Sequence, residues 1–250
     1  MQPANAEIKA TVSKAAVDQA LDLLQLQPSD AEKLQVCFAE DSPDGVTPQT
    51  RLLNEHIILR ARQRPDDRDD CTVKIRPCRI SQITPKLLAL SADEDSGFKL
   101  EADWAGDNVL AASFTVDLPG HPVARARAER KPLSSLFTNE QADFLRDCAD
   151  AQVNLEALTL LDKTVIALRW KPSRFDGATT ADKIRAERWS VGELDFLELS
   201  ILAPVADAQQ EQAKLIVFLH AKGIQPPDVQ VTKTQQVLRV LVGAPAQPAG

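Results

Sequence analysis

The chain has 250 residues, 44% hydrophobic and 26% charged, with a net charge of −7. This composition is that of a globular protein and excludes a largely disordered chain, and no run reaches the roughly 20 apolar residues of a membrane helix. The acidic balance argues against a generic duplex nucleic-acid binder, and no Gly-rich phosphate loop of the dinucleotide or P-loop type is present.

The N-terminal stretch lacks a basic segment followed by an apolar one, so a secretory signal is not expected and the cytoplasm is the expected location. Cys37, Cys71, Cys78 and Cys148 match no metal or redox spacing, and read as reduced, partly buried thiols. His56, His121 and His220 are scattered and do not suggest a histidine-based centre.

In chain order, the N-terminal residues 5–11 alternate between apolar and polar side chains, as a strand does. Ser13 is placed to cap a helix running to about Gln25. Strands are predicted over Leu34–Glu40, His56–Arg64, Cys71–Cys78, Phe98–Trp104 and Val109–Leu118, with Pro65–Asp70 as a polar hairpin loop. Asn139 starts a second helix. Thr159–Lys171, Ala186–Val191 and Glu193–Ile201 read as late strands, the last two joined by a tight turn at Gly192. A third helix spans Asp207–Ala221 and stops before Gly223 and Pro226. The expected organisation is one α+β domain over residues 1–242, with 243–250 as a flexible, Pro-rich tail.

Successive strand residues point to opposite faces. Arg60, Arg62 and Arg64 therefore share one face of their strand, and Ile57, Leu59 and Ala61 the other. Thr72, Lys74 and Arg76 oppose Cys71, Val73 and Ile75. Lys99, Glu101 and Asp103 oppose Phe98, Leu100 and Trp104, and Arg169 and Lys171 oppose Leu168 and Trp170. At the N-terminus Asn5, Glu7, Lys9 and Thr11 oppose Ala6, Ile8 and Ala10. Two arrangements satisfy this pattern. One is a sheet with a wetted charged face. The other is a barrel with apolar faces turned outward against helices and charged faces enclosed. Basic pairs on some strands and acidic pairs on others favour the barrel, because they suit a polyphosphate held by Arg and Lys beside carboxylates that hold a divalent cation.

Six segments in this order resemble the CYTH superfamily, the triphosphate tunnel metalloenzymes. Asn5-Ala6-Glu7-Ile8-Lys9 resembles its opening ExExK strand, Leu59-Arg60-Ala61-Arg62 its LRxR strand, and Thr72-Val73-Lys74-Ile75-Arg76 the TxKxR strand that follows. Glu101-Ala102-Asp103, Leu168-Arg169-Trp170-Lys171 and Leu197-Glu198-Leu199-Ser200 resemble its later acidic, basic and acidic strands. The resemblance implies an eight-stranded antiparallel β-barrel, or tunnel, with flanking helices. It implies hydrolysis of a triphosphate-containing substrate, inorganic tripolyphosphate or an organic triphosphate, with Mg²⁺ or Mn²⁺ as cofactor. Phosphate-binding residues would be Lys9, Arg60, Arg62, Lys74, Arg76, Arg169 and Lys171; metal ligands would be Glu7, Glu101, Asp103 and Glu198. Glu7 and Lys9 are the candidate catalytic pair. The expected partner is a polyphosphate or triphosphate-containing small molecule, with no membrane and no duplex nucleic acid.

Asn5 and Ser200 depart from the pattern, since each stands where the family has a carboxylate. The alternative they favour is a non-catalytic CYTH module that binds polyphosphate or nucleotides. Glu187, or Glu193 and Asp195, either compensate or belong to a solvated hairpin, and the hairpin is the favoured reading. ATP cyclisation ranks below hydrolysis, because no base-recognition arrangement is visible. Trp104 and Trp170, on apolar faces, are expected in the core.

Overall fold

The computed structural model describes residues 3–41, 50–66, 68–105, 107–173, 184–227 and 232–243; most of the tail, residues 244–250, lies outside them. In chain order the elements are β1 (Asn5–Ser13), α1 (Lys14–Leu23), β2 (Glu32–Ala39), α2 (Arg51–Asn54), β3 (Ile57–Gln63), β4 (Arg68–Ile75), α3 (Pro85–Leu90), β5 (Phe98–Ala105), β6 (Asp107–Pro119), α4 (Pro122–Ala128), α5 (Asn139–Cys148), β7 (Val165–Ser173), β8 (Ile184–Val191), β9 (Leu194–Pro204), α6 (Ala208–Ala221) and α7 (Lys233–Leu241).

The strands close into one barrel in the order β1-β5-β6-β4-β3-β2-β7-β8-β9. The expected α+β barrel is present, with nine strands where eight were expected and with one parallel pair, β1–β5. The antiparallel β1–β9 seam, which pairs Asn5 with Pro204 and Ser13 with Phe196, closes the sheet and leaves no free edge. Gly192, at positive φ, makes the tight β8–β9 turn that lets Val191 pair with Leu194.

Asp69 and Asp70 were expected in a loop but belong to β4. Aspartate is disfavoured in strands, and here two partners override that preference. Asp70 accepts both Nε contacts of Arg62, and Asp69 accepts the Val123 N–H at the start of α4. The late strand expected from Thr159 begins only at Val165.

Outside the barrel, two apolar layers hold the helices. Cys71, Val73, Ile75, Phe98 and Phe114 pack with Val123, Phe144 and Leu145 of α4 and α5. Phe98, Phe114 and Phe144 meet edge to face, with centroids 5.6–6.4 Å apart. On the opposite side Ile8, Ala10, Leu197 and Leu199 pack with Val17 and Leu21 of α1 and Leu215 and Leu219 of α6. Trp170 is buried in that layer and donates its Nε1–H to Gln27 O at 2.8 Å, while Trp104 packs partly buried against it. All four cysteines are buried and free.

A third cluster lies inside the barrel, where only charge was expected. Val36 pairs directly with Arg62 and Phe38 with Arg60, so these residues share the inward face. With Leu34, Ile58, Val165, Ala167, Trp189 and Phe196 they form an apolar layer that receives Val237, Leu238 and Leu241 of α7. This explains why β2 reads as apolar on both faces: one face meets the helices and the other meets α7.

Candidate active site in the charged interior

The remaining interior is a cavity of about 1530 Å³. Its walls include Glu7, Lys9, Arg60, Arg62, Lys74, Arg76, Glu101, Asp103, Arg169, Lys171 and Glu198, so the candidate residues from six separate stretches of chain meet in one space. The alternation along each strand is the reason: every second residue faces inward once the sheet has closed.

Asp103 is the hub of one wall. It is 3.1 Å from Lys9 Nζ, 2.8 Å from Lys74 Nζ and 2.9 Å from Arg76 Nε. Lys9 also reaches Glu7 at 2.7 Å. Burial by itself raises the Glu7 carboxyl, but the Lys9 and Lys74 ammonium groups overcome it and hold the group at about 2. Burial opposes the charge on Lys9, and Glu7 and Asp103 outweigh that effect, so its ammonium titrates well above the usual lysine range. Glu7 is thus an anion and Lys9 a cation throughout the physiological range.

Glu101 differs. It faces the same space two residues before Asp103, but makes no ion pair among the described residues. Burial and the neighbouring Glu7 charge raise its carboxyl, although Lys99, Lys74 and Lys9 act the other way, so Glu7 and Glu101 form a carboxylate pair of which only Glu7 is ion-paired among the described residues. Such a pair fits Mg²⁺, a hard cation that takes one or two carboxylates and completes its shell with water and substrate phosphates. The described residues hold no group of three or more acidic, histidine or cysteine side chains arranged for a metal. A protein-only cage is therefore absent among them, and a substrate-shared ion is the arrangement the donors suit.

The opposite wall is basic. Arg62 is held by Asp70 through Nε at 2.9 and 3.0 Å. Arg60 donates through Nη2 to Thr72 Oγ1 at 3.1 Å, and that hydroxyl meets Thr115 Oγ1 at 2.9 Å. Burial and the like charge of Arg62 lower the Arg60 guanidinium to about 10. Arg60 Nε and Arg76 Nη2 are buried without a hydrogen-bond partner, an uncommon state for N–H donors in a native interior. Arg169 pairs with Glu32 at 2.6 Å, and Lys171 is exposed toward the mouth.

Of the three groups placed to compensate for Asn5 and Ser200, only Glu187 faces the cavity. Glu193 is exposed and pairs with Lys14, and Asp195 pairs with Arg188. Ser200 lines the cavity, whereas Asn5 is exposed at the strand end. Sequence reasoning missed Lys233, which lies 2.7 Å from both Glu187 and Glu198. Its helix carried a signal in the spacing of Val237, Leu238 and Leu241, which fall on one helical face. Asp70 and Glu32 were also missed as partners, because cross-strand register is not visible in one strand.

No family model matches this sequence, and no curated protein matches it. Solved structures do. A candidate adenylate cyclase from Bacillus halodurans superposes with a TM-score of 0.58 at 16% identity, over 93% of this chain and 96% of that one. A candidate adenylyl cyclase from Hippeastrum, described as having a dominant triphosphatase activity, gives 0.54 at 14% identity, over 94% of this chain and 95% of that one. At these identities the likeness is one of fold: the chain shares the closed β-barrel fold of these structures, the architecture expected from its strand motifs.

Proposed function

We propose that this protein is a metal-dependent phosphohydrolase that binds a triphosphate-containing substrate in the charged interior. One observation carries the reading: buried guanidinium groups at Arg60 and Arg76 leave N–H donors unmatched, and Arg60 shares its strand face with the like-charged Arg62. Buried like charges with spare donors are stabilised by an anion that has several acceptor oxygens, and a run of phosphates supplies both. Lys9, Arg60, Arg62, Lys74 and Arg76 would bind those oxygens from adjoining strands, with Arg169 and Lys171 extending the track toward the mouth.

Glu7 and Glu101 would hold Mg²⁺ or Mn²⁺, with Asp103 as a further carboxylate in the same space, whereas Glu198, expected as a fourth ligand, is paired with Lys233. When bound, the ion neutralises phosphate charge and makes water more acidic. Lys9 keeps its proton and offers a fixed positive charge at Nζ to the phosphoryl oxygens. Asp103 orients Lys9, Lys74 and Arg76 together, so that three cations arrive pre-aimed and little reorganisation is left for the reaction. Glu7, ionised at neutral pH, can accept a hydrogen bond from an attacking water. The triphosphatase activity described for the Hippeastrum protein belongs to that protein, and the basic cluster supports triphosphate chemistry for this chain.

The reading is tested by phosphate release from tripolyphosphate, ATP and thiamine triphosphate, each with Mg²⁺ and with Mn²⁺. Release that depends on the metal and is lost in Glu7→Gln is expected. Binding of tripolyphosphate without turnover under every condition would favour a non-catalytic module instead, a reading that Ser200 on the cavity wall supports.

A further inference from the structure

Glu187 and Glu198 stand directly opposite each other on β8 and β9, both turned inward. Like charges in direct cross-strand register repel, and burial strengthens that repulsion. The pair is tolerated because the Lys233 Nζ sits 2.7 Å from each carboxylate. The same ammonium lies 4.5 Å from the centre of the Trp189 ring, and the Trp189 Nε1–H donates to Glu187 at 2.8 Å. Both Lys233 and Glu187 expose only 14% of their side chains. Lys233 is held in place from behind, since Val237, Leu238 and Leu241 on its helix are buried in the apolar layer inside the barrel.

We propose that Lys233 is a built-in countercation: it occupies a Glu187–Glu198 site that would otherwise take a divalent cation, and so excludes metal from this end of the interior while tying α7 to the barrel. The two facing carboxylates supply hard oxygen donors on rigid strands, the requirement for Mg²⁺ or Mn²⁺. A tethered ammonium has the advantage of high local concentration, and its burial against an aromatic face keeps it there. Arg60 and Arg62 also act on Glu187 and Arg169 is its cross-strand neighbour, but none of the three is its ion-pair partner: Arg62 is paired with Asp70, Arg169 with Glu32, and Arg60 donates to Thr72. The inference requires no turnover and stands apart from the hydrolase reading: it concerns which cation sits between two named carboxylates.

The test is Mn²⁺ binding to the full chain without substrate, followed by calorimetry and electron paramagnetic resonance. Lys233→Met should bind one more Mn²⁺ per chain than the parent, and Lys233→Met/Glu198→Gln should lose that additional ion. Lys233→Arg, which keeps the cation, should show the parent stoichiometry. Mn²⁺ should also raise the unfolding temperature of Lys233→Met by more than it raises the parent's. If Lys233→Met does not fold without metal, Mn²⁺ should restore its far-ultraviolet circular dichroism. Parent stoichiometry in Lys233→Met with no added thermal gain, or an unfolded variant that Mn²⁺ fails to restore, would overturn the proposal. Absence of phosphohydrolase activity in the parent would leave these outcomes unchanged and would count against the hydrolase reading alone.

Discussion

Lys9 and Ser200 stand directly opposite each other on β1 and β9, and both line the cavity. Ser200 is also the cross-strand neighbour of Arg185 on β8, so a carboxylate there would enter a space already rich in charge. Ser200→Glu should tighten Mn²⁺ binding by roughly tenfold, or about 1.4 kcal/mol. The gain stays modest because Lys9 competes for the new anion. Asn5→Glu, at an exposed strand end, should have a smaller effect. Titration calorimetry of the two single variants checks the order, and a larger gain from Asn5→Glu would contradict the placement of position 200.

Arg60 and Arg62 are separable although they share a face. Each Ala substitution should weaken tripolyphosphate binding by about 1.5–3 kcal/mol, the value of a hydrogen bond to a charged group. Their effects on the free protein should differ. Arg62→Ala strands Asp70, which is 1% exposed, and should lower stability by roughly 3–5 kcal/mol. Arg60→Ala removes a buried charge that its surroundings disfavour, and should leave the ligand-free protein as stable as the parent or more so. Thermal unfolding alongside calorimetry distinguishes the two, and equal destabilisation would contradict the pairing described here.

Acid should unfold the barrel through its interior. The Glu7 and Glu187 carboxyls lie at about 2 in the folded protein against an ordinary value of 4.5. A depressed carboxyl contributes stability that is fully present above the unfolded value and is lost as pH falls through the folded one. Each group is therefore expected to contribute roughly 3 kcal/mol above pH 5, lost progressively between about pH 4.5 and 2. Unfolding followed against pH should steepen in that window, and Glu187→Gln should flatten it. An unchanged slope in Glu187→Gln would show that Lys233 does not hold the carboxylate.

The cysteines should be silent in the native state. Burial pushes the Cys37 and Cys78 thiols up to about 11, and Cys71 and Cys148 are shifted upward for the same reason. Because the thiolate is the reactive form, a thiol-specific dye should label none of the four at neutral pH and all four in denaturant. Rapid native labelling of any one would mean that its layer opens locally.

What the sequence determined by itself was the face of each strand. Arg60 and Arg62, Lys74 and Arg76, and Glu101 and Asp103 sit two residues apart, and a period of two puts each pair on one side whatever the sheet does. The order of these strands also carried the resemblance to a tunnel fold. Tertiary structure decided the rest, because partners depend on register between strands far apart in sequence. Nothing in β5 alone indicates that Asp103 will collect Lys9, Lys74 and Arg76. The polar run before Cys71 reads as a loop until Arg62 and the start of α4 make its aspartates part of a strand. Closure with nine strands follows from the pairing of β1 with both β5 and β9, and the apolar plug inside a barrel expected to be charged throughout follows from where α7 docks. That docking brings Lys233 onto Glu187 and Glu198, a contact spanning 46 residues in one case and 35 in the other, set by burial of Val237, Leu238 and Leu241 rather than by any local signal around the lysine.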